Sequence, residues 1–327
     1  MDFLSANSLP WLQPAQQRLR EAAAAERLPH SLLLLSAPGL GADQLAHWIT
    51  AMALCESRAE RPCGECASCL LLKADSHPDS HIVRIEEDAK QIKVEQIRDL
   101  IEALTLKSYR GGYKVGVIEG AEALNANGAN AFLKTLEEPS QNTLLIMVAK
   151  PTNRLPATIA SRCLRLSLQA PPRESAIAWL NSNAPGAQEW EALLTLSGGA
   201  PLLALERQAS VDAGFAAEMR ESLQELAAGS IDVSLLAERW AGSDTLLRLE
   251  WLENWITQRV RAQLGSAGSR QSAEPVRLPA ALLKPKIRAL FKLLDASREF
   301  RRFASTGMNQ QLALEALLLG GRAALSK

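Results

Sequence analysis

The chain has 327 residues, 47% of them hydrophobic, and its 36 Lys and Arg balance 36 Asp and Glu. This composition excludes a mainly disordered chain, and the zero net charge argues against a protein that holds nucleic acid by bulk positive charge. The length predicts two or three domains, and the apolar runs are far shorter than the ~20 residues of a membrane-spanning helix. The amino terminus lacks the basic start and long apolar stretch of a signal peptide, so we expect a cytoplasmic protein without membrane contact.

Strand patterns and helix patterns alternate through the first half of the sequence. Such alternation predicts an α/β domain in which helices cover both faces of a parallel sheet. The predicted helices span residues 14–28, 43–54, 94–107 and 125–136, and the predicted strands span residues 31–36, 81–85, 115–119 and 143–148.

The glycine-rich turn after the first predicted strand stands where a phosphate-binding loop would stand. That loop reads G-x-x-x-x-G-K-[ST], with a lysine for the β- and γ-phosphates and a hydroxyl for magnesium. Here Gly39 and Gly41 are present, but Ala42 replaces the lysine and Asp43 replaces the hydroxyl. A carboxylate at this place can cap the following helix, but it repels phosphate. We therefore expect a structural glycine turn that binds no ATP.

Four of the five cysteines lie close together, at Cys55, Cys63, Cys66 and Cys69. In a reducing compartment such a cluster holds a metal more often than it forms disulfides. Four thiolates close a tetrahedral site and leave no position for catalysis, so the pattern predicts structural Zn²⁺, with Gly64 giving the turn its backbone freedom. Iron–sulfur ligation and reduced thiols without metal are the alternatives.

The strand at residues 115–119 ends without the acidic pair of an ATPase. A strand that ends in Asp-Glu supplies a carboxylate for magnesium and a base that orients the attacking water. In this chain Glu119 is followed by Gly120, so the presumed base is missing. Together with Ala42 and Asp43, this second departure predicts that the chain does not hydrolyse ATP.

The strand pattern ends at Leu168, and the sequence Gln-Ala-Pro-Pro that follows is typical of a domain boundary. Helical patterns fill the rest of the chain. We predict three domains: an α/β domain at residues 1–168 with a zinc-binding insertion at 55–69, a small helical domain at 169–208, and a helical oligomerisation domain at 209–327.

Five motifs occur in one order along the first half of the chain. They are RLPHS at 27–31, the degenerate phosphate loop at 36–43, the four-cysteine insertion at 55–69, NAFLKTLEEP at 130–139 and IASRC at 159–163. In this order they resemble the bacterial clamp-loader AAA+ proteins of the replicative DNA polymerase, DNA polymerase III. Without the phosphate-loop lysine, the chain resembles the class of subunit that does not hydrolyse ATP and differs from the gamma or tau class.

The resemblance implies an AAA+ domain, a helical lid and a helical collar. It implies a pentamer of this chain with one delta and three gamma or tau subunits, which together load a sliding clamp onto primed DNA. It also implies that Arg162 is an arginine finger that reaches a neighbour's ATP site, positioned by Ser161 and Cys163. A guanidinium suits that role because it can bind two phosphate oxygens at once. Taken alone, Arg162 would be read as a surface arginine paired with a local carboxylate.

Two other functions stay open on the sequence. An autonomous ATPase of the gamma or tau type requires the lysine and the acidic pair that Ala42 and Gly120 replace. A zinc-ribbon adaptor for nucleic acid requires a basic surface around the cysteines. Residues 58–73 hold three basic and two acidic side chains, which is a weak basic patch.

Overall fold

The computed structural model describes residues 3–57, 60–86, 89–151, 155–184, 190–208, 214–242, 244–265, 285–303 and 309–325. The chain divides into two compact units, Met1–Pro171 and Pro172–Lys327. Within the described ranges, no helix combines the length and the apolar character needed to cross a membrane.

The first unit is built from alternating strands and helices. Its helices are α1 (Gln13–Ala24), α2 (Ala42–Leu54), α3 (Ala67–Lys73), α4 (Val94–Thr105), α5 (Ala126–Glu137) and α6 (Ala157–Ala160), and its strands are β1 (Ser31–Leu35), β2 (Ser80–Val83), β3 (Lys114–Glu119), β4 (Thr143–Ala149) and β5 (Leu164–Ser167). The five strands form one parallel sheet in the order β2-β3-β4-β1-β5. The predicted α/β fold with a parallel sheet is therefore confirmed.

Helices cover both faces of this sheet. Side chains of α4 and α5 pack with alternate strand residues, as Ile97 and Phe132 do with Leu33 and Met147. Helix α2 is outside that cluster but contacts β1, β3 and β4, so it lies on the other face. All seven residues of β4 are buried, which agrees with its uninterrupted apolar run in the middle of the sheet.

The parallel sheet has two ends that differ in what they carry. At its carboxyl end, β1 runs into the glycine turn at 36–43 and β3 ends at Glu119. At its amino end, residues 161–163 lead into β5, whose Leu164 pairs with Leu32 near the start of β1. The two ends are separated by the length of a strand, which for the five residues of β1 is roughly 16 Å.

Several predicted boundaries shift, each for a local reason. Helix α1 ends at Ala24 and not at Leu28, because Glu26 takes a left-handed conformation (φ 54°) and the Arg27 amide donates back to Ala22 O at 2.8 Å. That pattern is a Schellman ending. Helix α4 ends at Thr105, where Nζ of the buried Lys114 donates hydrogen bonds to the carbonyls of Leu104 and Leu106. Strand β5 and helix α3 were not predicted, because both are short.

The second unit is helical in its described residues. Its helices are α7 (Arg173–Asn183), α8 (Trp190–Leu196), α9 (Pro201–Arg207), α10 (Phe215–Ala228), α11 (Val233–Trp240), α12 (Thr245–Gly265), α13 (Pro285–Phe303) and α14 (Gln310–Leu325). Residues of α7, α8 and α9 share a small core around Leu180, Trp190 and Ala204, whereas α10 to α14 share a larger core around Trp240, Trp251 and Leu314. The division of this unit into residues 169–208 and 209–327 stays a prediction.

Candidate functional site

The glycine turn at the carboxyl end of the sheet is packed against the amino-terminal segment. Gly39 and Gly41 both have positive φ, 76° and 86°. A Cβ on Gly41 would lie 2.8 Å from the Leu9 side chain, and the indole nitrogen of Trp11 donates to the carbonyl of Leu40 at 2.8 Å. The glycines therefore serve close packing and tight turning.

The residues that replace the lysine and the hydroxyl lie at the start of α2. Ala42 is its first residue and is buried, while Gly41 is the N-cap residue, so Asp43 does not cap the helix as the sequence allowed. Asp43 lies in the first turn, where a carboxylate interacts favourably with the helix dipole. Desolvation of its carboxyl, followed by the negative charge of Glu119, raises its pKa, although Asp43 as a whole is an exposed residue.

Glu119 is engaged by two basic side chains of this chain. Its Oε1 accepts a hydrogen bond from His47 Nε2 at 2.9 Å, and its Oε2 accepts one from Arg84 Nε at 2.6 Å. Burial works to raise the pKa of Glu119, but these hydrogen bonds outweigh burial and hold its pKa below the ordinary value. We call these three residues, His47, Glu119 and Arg84, the carboxyl-end network. Both oxygens of the Glu119 carboxylate are thus hydrogen-bonded within the chain.

Sequence reasoning did not find His47 or Arg84. They lie 72 and 35 residues from Glu119, and neither belongs to a motif with a known spacing. The signal was indirect: His47 is one turn beyond Asp43 on α2, and Arg84 directly follows β2, next to β3 in the sheet. The basic groups that face this carboxylate therefore become visible only from the topology.

Arg162 lies at the opposite, amino end of the sheet. Its Nε donates to Glu137 Oε1 at 2.7 Å, its Nη2 also contacts that oxygen, and its Nη1 donates to the carbonyl of Thr158 at 2.9 Å. Its own carbonyl accepts from the Ser31 hydroxyl at 2.7 Å, which ties the backbone to the start of β1. Both side chains of the pair are partly exposed, 35% for Arg162 and 48% for Glu137.

Ser161 and Cys163 shape the backbone on either side of Arg162. The Ser161 hydroxyl donates to Thr158 O at 3.1 Å, and the Cys163 thiol donates to Ile159 O at 3.2 Å. Burial raises the pKa of the Cys163 thiol to about 11, so it stays protonated at neutral pH and is a poor nucleophile. Both side chains hold the turn between α6 and β5.

The four clustered cysteines meet at one point in the structure. Their sulfur atoms all lie within 4.8 Å of one another, with 3.9 Å between Cys55 and Cys66 and 3.9 Å between Cys63 and Cys69. Four sulfurs placed tetrahedrally about 2.3 Å from one zinc ion would lie about 3.8 Å apart. The spacing therefore fits a single metal ion bound by four thiolates.

Backbone groups around the cysteines favour the thiolate form. Amide N–H groups point at three of the sulfurs, from Cys63 to Cys55 at 3.4 Å, from Cys66 to Cys63 at 3.3 Å and from Cys69 to Cys66 at 3.5 Å. The N–H groups of Glu65 and Cys66 lower the pKa of Cys63 to about 6, whereas burial raises the pKa of the Cys55 and Cys69 thiols. Gly64 takes the positive φ (78°) that the sequence suggested, and its carbonyl accepts from Lys73 Nζ at 2.8 Å.

A hydrogen-bonded chain links the cysteine insertion to the neighbouring strand starts. The Asp79 amide donates to His77 Nδ1, His77 Nε2 donates to the Ser68 hydroxyl, and Ser68 donates to Glu56, which also pairs with Arg110. Since Nδ1 accepts, Nε2 carries the proton, so His77 cannot act as a base toward Ser68. This Ser-His-Asp grouping is structural and fastens α3 to the start of β2.

Comparison with known proteins gives consistent matches. A family profile described as DNA polymerase III, delta subunit, matches residues 11–172, and one described as DNA polymerase III, delta subunit, C terminal, matches residues 217–322. A DNA polymerase III subunit delta' from Pseudomonas aeruginosa is 36% identical over 262 residues, covering 79% of this chain and 79% of that protein. A DNA polymerase III subunit delta' from Escherichia coli is 31% identical over 319 residues, covering 95% of this chain and 94% of that protein.

Proposed function

The chain belongs to the family of DNA polymerase III delta-prime subunits, and from this premise we propose that it is a clamp-loader subunit that does not hydrolyse ATP. In this proposal its partners are delta and gamma or tau subunits, and the complex loads a sliding clamp onto primed DNA in the cytoplasm. Arg162 acts in trans, at the ATP site of a neighbouring subunit.

The lack of ATP hydrolysis follows from charges at the carboxyl end of the sheet. Phosphoryl transfer depends on positive charge around the phosphates and on a carboxylate free to hold magnesium. Ala42 removes the first, and Asp43 adds a negative charge in its place. Glu119 is bound to His47 and Arg84, and Gly120 offers no base.

The observation that carries the trans role is the distance of Arg162 from the chain's own glycine turn. They lie at opposite ends of β1, roughly 16 Å apart along the strand, and an arginine side chain cannot span that length. In this proposal, a phosphate that Arg162 contacts therefore belongs to a nucleotide bound by another subunit. A partly exposed guanidinium at the end of a turn suits such a contact.

Zinc is the ion that we propose for the four cysteines. The donor set is all sulfur, which selects zinc over magnesium or calcium. An iron–sulfur cluster would hold the thiolates farther apart, because several metal atoms would lie between them. Bound zinc would fasten the insertion onto the end of α2 and play no part in ATP chemistry.

The test is ATP turnover by complexes reconstituted with altered chains. Arg162→Ala should leave the chain folded and able to join the complex, but should lower clamp-stimulated, DNA-dependent ATP turnover and clamp loading. Arg162→Lys should rescue poorly, because an ammonium cannot make the two-pronged contact of a guanidinium. Arg165→Ala is the matched control, since Arg165 is an exposed neighbour that bonds only to Ala160 O among the described contacts. Wild-type turnover with Arg162→Ala would refute the trans role.

A further inference from the structure

Arg162 is held at the surface by side-on contacts. One carboxylate oxygen of Glu137, the last residue of α5, accepts hydrogen bonds from Nε and Nη2 of Arg162. The Thr158 carbonyl accepts one from Nη1. Glu137 belongs to the NAFLKTLEEP motif, none of whose residues has a part in the proposed function above. It lies 25 residues from Arg162 in the chain.

A count of donors shows what these contacts leave unused. A guanidinium has five N–H donors, one on Nε and two on each terminal nitrogen. The described contacts use the Nε donor, one on Nη2 and one on Nη1. One N–H therefore remains on each terminal nitrogen, so two donors stay available for phosphate oxygens.

We propose that Glu137 is a positioning residue for Arg162, which fixes the guanidinium with its two terminal N–H groups available to a neighbour's phosphate. This inference rests on the proposed function. An arginine has a long side chain with many rotamers, and a fixed guanidinium loses less freedom when it meets the phosphate. Glu137 acts through Arg162 and does not itself touch the nucleotide.

A purely structural role for this pair would have a different signature. Ion pairs as exposed as this one contribute little to folding, because water and salt screen them. The Arg162 backbone is held separately, by the Ser31 hydroxyl and by its amide bond to Ile159 O. Loss of the Glu137 carboxylate should therefore leave the fold intact and free the guanidinium alone.

The experiment is a double-mutant cycle in reconstituted complexes, measured by single-turnover ATP hydrolysis. The phase that Arg162→Ala slows reports the site beside this chain. Glu137→Ala should slow that phase by roughly three- to tenfold, in the range of couplings between contacting residues. Glu137→Gln, which keeps an oxygen acceptor, should slow it less, and the KM for ATP should not change. Glu138→Ala, at the exposed neighbouring carboxylate, is the matched control.

The cycle separates failure of this inference from failure of the proposed function. In the Arg162→Ala background, Glu137→Ala should have no further effect, and this result supports the positioning role. An equal effect in both backgrounds would overturn it, as would a faster phase with Glu137→Ala, which would make Glu137 a latch. If Arg162→Ala itself slows nothing, the proposed function fails. If Arg162→Ala slows the phase and Glu137→Ala does not, only the present inference fails.

Discussion

The two ends of the sheet differ in how their charged side chains are paired. At the carboxyl end, Glu119 is satisfied by His47 and Arg84 of the same chain. At the amino end, Arg162 pairs with Glu137 at the surface and keeps two donors for a molecule outside. The first arrangement fills a place where an ATPase would hold magnesium and phosphate. The second leaves a partly exposed guanidinium, which the proposed function assigns to the ATP site of another subunit.

The lost phosphate-loop lysine and the retained Ser-Arg-Cys motif therefore have separate structural causes. The missing lysine at Ala42 does not leave Glu119 without partners, because Arg84 after β2 supplies a positive charge and His47 on α2 supplies a hydrogen bond. The serine, arginine and cysteine of residues 161–163 are positioned by local hydrogen bonds to α6. Each end of the sheet is therefore held by its own hydrogen bonds, and the proposed function gives a nucleotide contact to the amino end alone.

The largest expected effect comes from removing one ligand of the zinc ion that we propose for the four cysteines. Cys63→Ser should reduce bound zinc from one equivalent to less than half and lower the Tm by several degrees, because metal binding adds to the stability of the folded insertion. Metal analysis of protein purified without chelators measures the first effect and thermal unfolding the second. Cys163→Ser, which lies outside the cluster, should keep its zinc. A full equivalent of zinc in Cys63→Ser, or bound iron in the wild type, would contradict the assignment.

A smaller effect should follow from breaking the carboxyl-end network. Glu119→Gln should destabilise the chain by roughly 1.5–3 kcal/mol at pH 7, the usual contribution of hydrogen bonds to a charged group. Glu86→Gln, in an exposed pair with Lys93, is the control and should change stability little.

The pH dependence of this effect has a definite sign. Since the pKa of folded Glu119 lies below its usual value of 4.5, its contribution to stability is present above pH 4.5 and is lost as the pH falls through the folded pKa. The difference between wild type and Glu119→Gln should therefore shrink in acid. Urea unfolding at several pH values measures it, and a difference that grows in acid would contradict the network.

The smallest expected effect is the response to a restored lysine. Ala42→Lys should not create an ATPase, because Asp43 stays negative, Glu119 stays bound to His47 and Arg84, and Gly120 supplies no base. Phosphate release by the isolated chain should equal background with and without this substitution. Steady turnover by either protein, free of other subunits, would show that the carboxyl end is a working site.

Much of this contrast can be predicted from sequence, for identifiable reasons. The run Leu144–Ala149 is apolar throughout and gives a buried strand, and four cysteines at short spacing give one sulfur cluster. These signals are local, so no knowledge of the fold is needed to interpret them. The losses at Ala42 and Gly120 can likewise be recognised, because the phosphate-binding loop and the Asp-Glu pair of an ATPase have known sequence patterns.

The pairings at both ends could not be predicted, because they join residues far apart in the chain. Glu137 and Arg162 are 25 residues apart, and His47 and Glu119 are 72 apart. Each partner looks like an ordinary surface residue until the strand order places α5 beside α6 and α2 beside β3. The buried Lys114, which closes α4, was missed because a lysine in a sequence predicts exposure.

The most direct test of the account is pre-steady-state ATP hydrolysis by complexes assembled with wild-type chain or with Arg162→Ala. If this chain donates an arginine but holds no nucleotide, one of about three ATP sites should be affected. Roughly a third of the burst amplitude should then move into a phase slowed by up to ~10³-fold, the lower range for arginine fingers. An unchanged burst amplitude and rate, in a complex shown to contain the altered chain, would contradict the account.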